Sequence, residues 1–116
     1  MAIAHYPDAS ERRRQLEDAL RAFVDVLVNQ LGAKKVVLFG SLATGNVHPD
    51  SDIDLFVIQD TSLGYYERLT AALMALRPTV ALDLVIFTPR EVEASLRTGN
   101  RYLAEILREG RVLHEG

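Results

Sequence analysis

Two aspartates placed two apart on a short apolar stretch constrain this chain more than anything else in it. Residues 52–58 read Asp-Ile-Asp-Leu-Phe-Val-Ile, a β-branched and aromatic run that suits a strand. Residues two apart on a strand point to the same face, so the carboxylates of Asp52 and Asp54 stand side by side. Adjacent anions repel each other and resist burial among apolar neighbours. Something positive should sit between them, and a divalent metal is the natural candidate. Just upstream, residues 36–39 (Val-Val-Leu-Phe) form another apolar strand, which ends at Gly40-Ser41. Asn46, His48, Pro49, Asp50 and Ser51 then supply loop chemistry before the aspartates.

The flanking segments supply helices. Asp8 or Ser10 can cap a first helix, along which Leu16, Leu20, Phe23, Leu27 and Leu31 follow the 3.6-residue period until Gly32. Arg12, Arg13 and Arg14 lie among Glu11, Glu17 and Asp18 and are read as a solvated helix face. After the aspartate strand, Ser62 is a candidate cap for a helix whose inward stripe is Tyr65, Leu69, Leu73 and Leu76, with Tyr65 and Tyr66 in core and rim packing. That helix ends before Pro78. Residues 80–87 predict a third strand in which Asp83 is the one charged residue. A buried, unpartnered carboxylate there would be expensive, so Asp83 needs a cation, a hydrogen-bond cluster or the mouth of a cleft. Thr88-Pro89-Arg90-Glu91 is a helix start with cap, first-position proline and capping box. Asn100 caps a last helix with Leu103, Ile106 and Leu107 inward and Gly110 beyond its end; residues 111–114 form a short edge strand or a tail.

These elements predict an α+β fold, a small mixed sheet of three to four strands with helices packed on it. A short corner joins the first two strands and suits an antiparallel pair, whereas a helical crossover makes the second and third parallel. The end of the first strand and the starts of the other two then meet at one edge. Gly40, Ser41, Asp52, Asp54 and Asp83 would share a cleft. Such a cleft suits phosphoryl chemistry: Mg²⁺ takes a few carboxylates with water and phosphate oxygens, and glycine lets backbone approach a phosphate. If Ser41 opens a short helix, backbone amides face the anion as well.

With 116 residues, a single domain over 1–116 is expected. Thirteen basic against sixteen acidic residues make a broad nucleic-acid surface unlikely on charge grounds. The absence of cysteine removes any disulfide or thiolate metal site and fits a reducing compartment. The first residues lack the order of a signal peptide, and no apolar run approaches the roughly 20 residues of a membrane span. A soluble, cytoplasmic protein without membrane contact is expected.

Gly40-Ser41, ten residues, then Asp52-Ile53-Asp54 resembles the signature of the DNA polymerase β-like nucleotidyltransferase superfamily, and the small size resembles its minimal nucleotidyltransferase (MNT) branch. The resemblance spans roughly residues 10 to 113. It implies Mg²⁺-dependent transfer of a nucleoside monophosphate, here AMP from ATP, to a hydroxyl, with release of pyrophosphate. On this resemblance Asp52 and Asp54 match the metal-binding pair, with two ions implied. Asp83 matches the third carboxylate, which helps hold the catalytic metal and can accept the hydroxyl proton. Gly40 and Ser41 match the corner that, with Asp52 and Asp54, binds the nucleoside triphosphate. One departure stands out: many members carry arginine where this chain has Thr44.

MNT proteins are often antitoxins of HEPN-domain toxins, and some adenylylate a tyrosine of the toxin. The resemblance therefore implies a HEPN partner, since little chain remains to form an acceptor domain; dimerisation into a homo-oligomer is the other way to complete a pocket. Two alternatives are a binding protein that neutralises its partner by masking and a small-molecule nucleotidyltransferase of the aminoglycoside type. Arg108 and His114 have the spacing of a HEPN ribonuclease motif but straddle Gly110, and are read as surface residues.

Overall fold

The computed structural model describes residues 8–116. It is a four-stranded mixed sheet with helices on both faces. Helix α1 (Ala9–Asn29) leads into β1 (Lys35–Phe39), a single-turn helix α2 (Gly40–Thr44) and β2 (Ile53–Ile58). Helix α3 (Tyr65–Leu76) crosses to β3 (Leu82–Phe87), followed by α4 (Pro89–Arg97), α5 (Arg101–Glu109) and β4 (Arg111–Glu115). The strand order is β3-β2-β1-β4. β1 runs antiparallel to β2 and β4, while β2 and β3 are parallel, as the connections predict. The ambiguous C-terminal segment is an edge strand, interrupted by a register shift between Val36 and Val37 of its neighbour. The aspartate strand and the third strand each begin later than the sequence suggests, at Ile53 and Leu82.

Strand alternation divides the core in two. Val36, Leu38, Ile53, Leu55, Val57, Leu84 and Ile86 face one side, against Leu16, Leu20, Phe23 and Leu27 of α1 and Ala72 and Leu76 of α3. Val37 and Phe56 face the other, beneath Leu103 and Ile106 of α5. A sheet covered on both faces explains why residues 36–39 and 55–58 are continuously apolar rather than alternating. The tight turn from α5 into β4 needs Gly110, where a Cβ would lie 2.4 Å from Val37 Cγ1 and 2.5 Å from the Ile106 carbonyl.

Helix ends follow their local signals. The Asp8 side chain accepts the Glu11 amide at 2.8 Å, Thr88 and Glu91 form the full capping box, and Asn100 accepts the Leu103 amide. Helix α3 departs from expectation. It starts after Gly64, and its buried positions are Arg68, Ala72 and Leu76, while Tyr65 and Leu73 are largely exposed and Tyr66 more so. Tyr65 and Tyr66 meet edge to face at 5.3 Å, and the Arg68 guanidinium lies over the Tyr65 ring.

Arg68 takes a buried position on this helix. Its Nε and Nη2 donate to the Leu63 carbonyl, Nη1 to the Ile86 carbonyl, and both terminal nitrogens reach the Glu91 carboxylate. The guanidinium therefore ties together the start of α3, the end of β3 and the first turn of α4. A buried arginine is tolerated because its donors are met. A reading based on apolar periodicity passes over it.

Candidate functional site

The sheet register brings the predicted residues to one edge. Phe39 is the register partner of Asp54, and Asp54 is that of Asp83. Asp54 thus sits between the end of β1 and the start of β3, with Asp83 one strand spacing away, about 4.8 Å along the hydrogen-bonding direction. Both lie on the α5 side, in line with Phe56 and Val85, beyond the part of the face that Leu103 and Ile106 cover. Asp54 is half-buried and Asp83 exposed. Asp83 is exposed at this edge, so it avoids the cost of a buried, unpartnered carboxylate.

Asp54 is the electrostatic centre of the group. Its carboxyl is pushed up from 3.8 to about 6, first by burial, then by the charges of Asp52 and Asp83 and a hydrogen bond with Asp52. Carboxylates this close repel one another, and burial sharpens the cost at Asp54. A hard cation bound by oxygen is the chemical complement. Among the described residues no three His, Cys, Asp or Glu side chains form a ready metal cage. Mg²⁺ usually takes one or two carboxylates and fills its remaining positions with water and phosphate oxygens.

The corner is built around the same carboxylate. Gly40 has φ +76°, and a Cβ added there would lie 2.0 Å from Asp54 Oδ2. Both the positive φ and the close approach require glycine. A short helix does open at this corner, with Gly40 first and Ser41 second, and Phe39 at the cap position gives no side-chain hydrogen bond to its first amides. The Ser41 hydroxyl donates to Ser51 Oγ at 3.2 Å.

Ser51 is the residue that the sequence reading missed. It is 2% exposed. Its hydroxyl also accepts the His48 amide at 2.9 Å, and its carbonyl accepts Nε and Nη2 of Arg12 at 3.1 and 2.8 Å. Arg13 donates to the Gly45 carbonyl at 2.8 Å. Arg12 and Arg13 are thus partly buried pins that hold the loop between corner and aspartates, and Arg14 alone of the three is a solvated face residue. The available signal was the serine directly before Asp52, ten residues after Ser41.

Three further residues complete the surroundings. Thr44 is exposed, and its hydroxyl donates to the Ser41 carbonyl at 3.1 Å, so it brings no charge to the corner. Arg108 ends α5 beside Glu109, whereas His114 is partly buried on β4 rather than in a tail. A cavity of about 180 Å³ adjoins Gly40 between α2 and α5, with Phe39, Thr44, Tyr102, Glu105 and Glu109 in its wall. No helix among the described residues is long and apolar enough to cross a membrane.

The chain is similar, at 29% identity over 100 residues, to the "putative protein adenylyltransferase" of Methanocaldococcus jannaschii; the match covers 84% of this chain and 97% of that protein. Its fold is similar to the crystal structure of a "putative nucleotidyltransferase" from Sulfolobus solfataricus, with TM-score 0.60, 18% identity and coverage of 80% and 85% of the two chains. It is also similar to a chain in the crystal structure of a toxin-antitoxin with AMP-PNP, with TM-score 0.53, 24% identity and coverage of 83% and 73%. Residues 22–115 match the polymerase beta nucleotidyltransferase family. The α+β sheet, the Gly-Ser corner and this match over most of its length agree: the chain belongs to the polymerase beta nucleotidyltransferase family and is a nucleotidyltransferase.

Proposed function

We propose that this chain, acting as one domain in the cytoplasm, transfers AMP from ATP to a tyrosine hydroxyl of a HEPN-type toxin and so silences it. The observation that carries the reading is the juxtaposition of Asp52, Asp54 and Asp83 with Gly40, in which Asp54 is driven up to about 6. The similarity to a protein adenylyltransferase and to a toxin-antitoxin chain supports a protein acceptor.

In this reading Asp52 and Asp54 would hold Mg²⁺, with two ions implied and Asp83 contributing to one; bound there, the metal would activate the hydroxyl and neutralise the leaving oxygens. Gly40 lets the Asp54 carboxylate press against the backbone of the corner, and the amides opening α2 would face the triphosphate oxygens. The acceptor oxygen forms a bond to the α-phosphorus as the α–β P–O bond breaks and pyrophosphate leaves. Asp83, the most open of the three carboxylates, accepts the hydroxyl proton. The chain offers little surface to orient a free small molecule, so a partner that presents its own hydroxyl supplies much of the positioning on which a two-substrate reaction depends.

Mass spectrometry of the co-expressed partner tests this. A gain of AMP on tyrosine is expected, and Asp52→Asn with Asp54→Asn should erase it. Thr44 favours a second reading, neutralisation by masking, because it leaves the corner without the family's usual positive charge. An unmodified partner that is still silenced by the double variant would establish masking and refute transfer.

A further inference from the structure

Accepting the nucleotide site proposed above, the order β3-β2-β1 separates its two substrates. Asp83 on β3 and Gly40 at the end of β1 lie on opposite sides of Asp54. The acceptor hydroxyl, which gives its proton to Asp83, therefore approaches over β3. The nucleotide extends the other way, toward α2 and α5, where the cavity beside Gly40 opens.

That cavity has the wrong charge for phosphate. Its wall contains Glu105 and Glu109 and no lysine or arginine. Glu109 is paired with Arg108 at 3.3 Å, which leaves Glu105 as an exposed acceptor. Its other prominent feature is aromatic. Tyr102 is 62% exposed and meets Phe39 edge to face, at 6.2 Å between centroids and 89° between planes, so the two rings do not cover each other by stacking. A void of about 180 Å³ is of the size that takes a flat ring, since one of roughly 150 Å³ takes benzene. An aromatic surface, a free carboxylate and no cation suit a ring that carries an amino group.

We propose that this cavity holds the base of the nucleotide, with Tyr102 as its stacking surface and Glu105 as the acceptor for its exocyclic amino group. Tyr102 and Glu105 are then specificity-determining residues, and adenine or cytosine is preferred over uracil, which presents a carbonyl at the corresponding position. The triphosphate stays at Gly40 and the aspartates.

The test measures Mg²⁺-dependent binding of ATP, UTP and inorganic tripolyphosphate, the last a probe without a base. Tyr102→Ala should weaken ATP about tenfold, within the range of one base–aromatic stack, and leave tripolyphosphate unchanged; Tyr102→Phe should restore ATP. Glu105→Gln, whose amide donates as well as accepts, should narrow the ATP-over-UTP preference. Unchanged ATP affinity in Tyr102→Ala, or an equal loss for ATP and tripolyphosphate, overturns the inference. So does a Tyr102→Ala protein that binds ATP normally but modifies its acceptor poorly, since the cavity would then serve the acceptor. A wild-type protein that binds neither ATP nor tripolyphosphate overturns the nucleotide reading of the site, and this inference with it.

Discussion

The two ends of β3 carry charge in opposite states. At its end, Arg68 is 6% exposed and saturated by two carbonyls and Glu91, whose carboxyl is held below its ordinary value first by the hydrogen bond from Arg68. At its start, Asp83 belongs to a group of three carboxylates in which Asp54 is pushed up to about 6. The same strand thus anchors a completed ion pair and an incomplete one. A satisfied charge cluster holds elements together, whereas an unsatisfied one is a stored demand for a ligand and weakens the fold until the ligand arrives.

The largest expected effect breaks the incomplete end. Asp52→Asn with Asp54→Asn should lower AMP transfer at least about a thousandfold, roughly 4 kcal/mol of barrier, and abolish the rise in melting temperature on adding Mg²⁺ with ATP. Activity and thermal-shift measurements check both.

Breaking the completed end should instead destabilise the fold. Arg68→Met strips Glu91, Leu63 and Ile86 of their donor and should cost about 3 kcal/mol in urea denaturation. The loss is at the lower end for a buried pair because Glu91 is 41% exposed.

The sharpest contrast is in pH dependence. Asp54 has a higher pKa folded, about 6, than the ordinary 3.8, so the folded state binds the extra proton between these values. Its stabilising contribution is fully present below about pH 4 and lost as pH rises through about 6. Asp54→Asn should therefore stabilise the metal-free protein at pH 7 by about 1 kcal/mol, after allowance for solvent screening of this half-exposed group. The gain should vanish near pH 4. Glu91 runs the other way: its contribution is present above the ordinary 4.5 and lost as pH falls through its lowered folded value. Across pH 3–8, Asp54→Asn and Glu91→Gln should both diverge from wild type toward high pH in denaturation curves, Asp54→Asn as the more stable protein and Glu91→Gln as the less stable one.

The smallest effect concerns the loop. Ser51→Ala removes the acceptor for Ser41 and the His48 amide and should cost about 1 kcal/mol, with nucleotide affinity lowered through the displaced corner. Isothermal titration and urea denaturation separate the two.

The same contrast marks what the sequence made legible. Asp52, Asp54 and Asp83 were conspicuous because unpaired charges on apolar strands violate a local rule, and a violated rule is visible without the partner. The strand directions followed from connection lengths alone. Arg68 was hidden because its five donors are met by residues 5 to 23 positions away, which apolar periodicity does not register. Arg12 and Ser51 were hidden for the same reason, 39 residues apart. Of the helical stripe, Leu69 and Leu76 pack on the core as predicted, whereas Tyr65 and Leu73 lie toward solvent and Arg68 takes a buried position.

The contact between Gly40 and Asp54 has a spectroscopic consequence. A carboxylate oxygen occupies the space where any other residue would carry its Cβ, so the charge on Asp54 is felt directly by the backbone at the corner. Glycine amides are few in this chain, seven in all, and their nitrogen resonances fall in a sparse region of the spectrum. The Gly40 signal should therefore track the proton on Asp54 during an acid titration and jump when a divalent ion displaces that proton. It is a built-in reporter that reads the loading of the site without substrate or label.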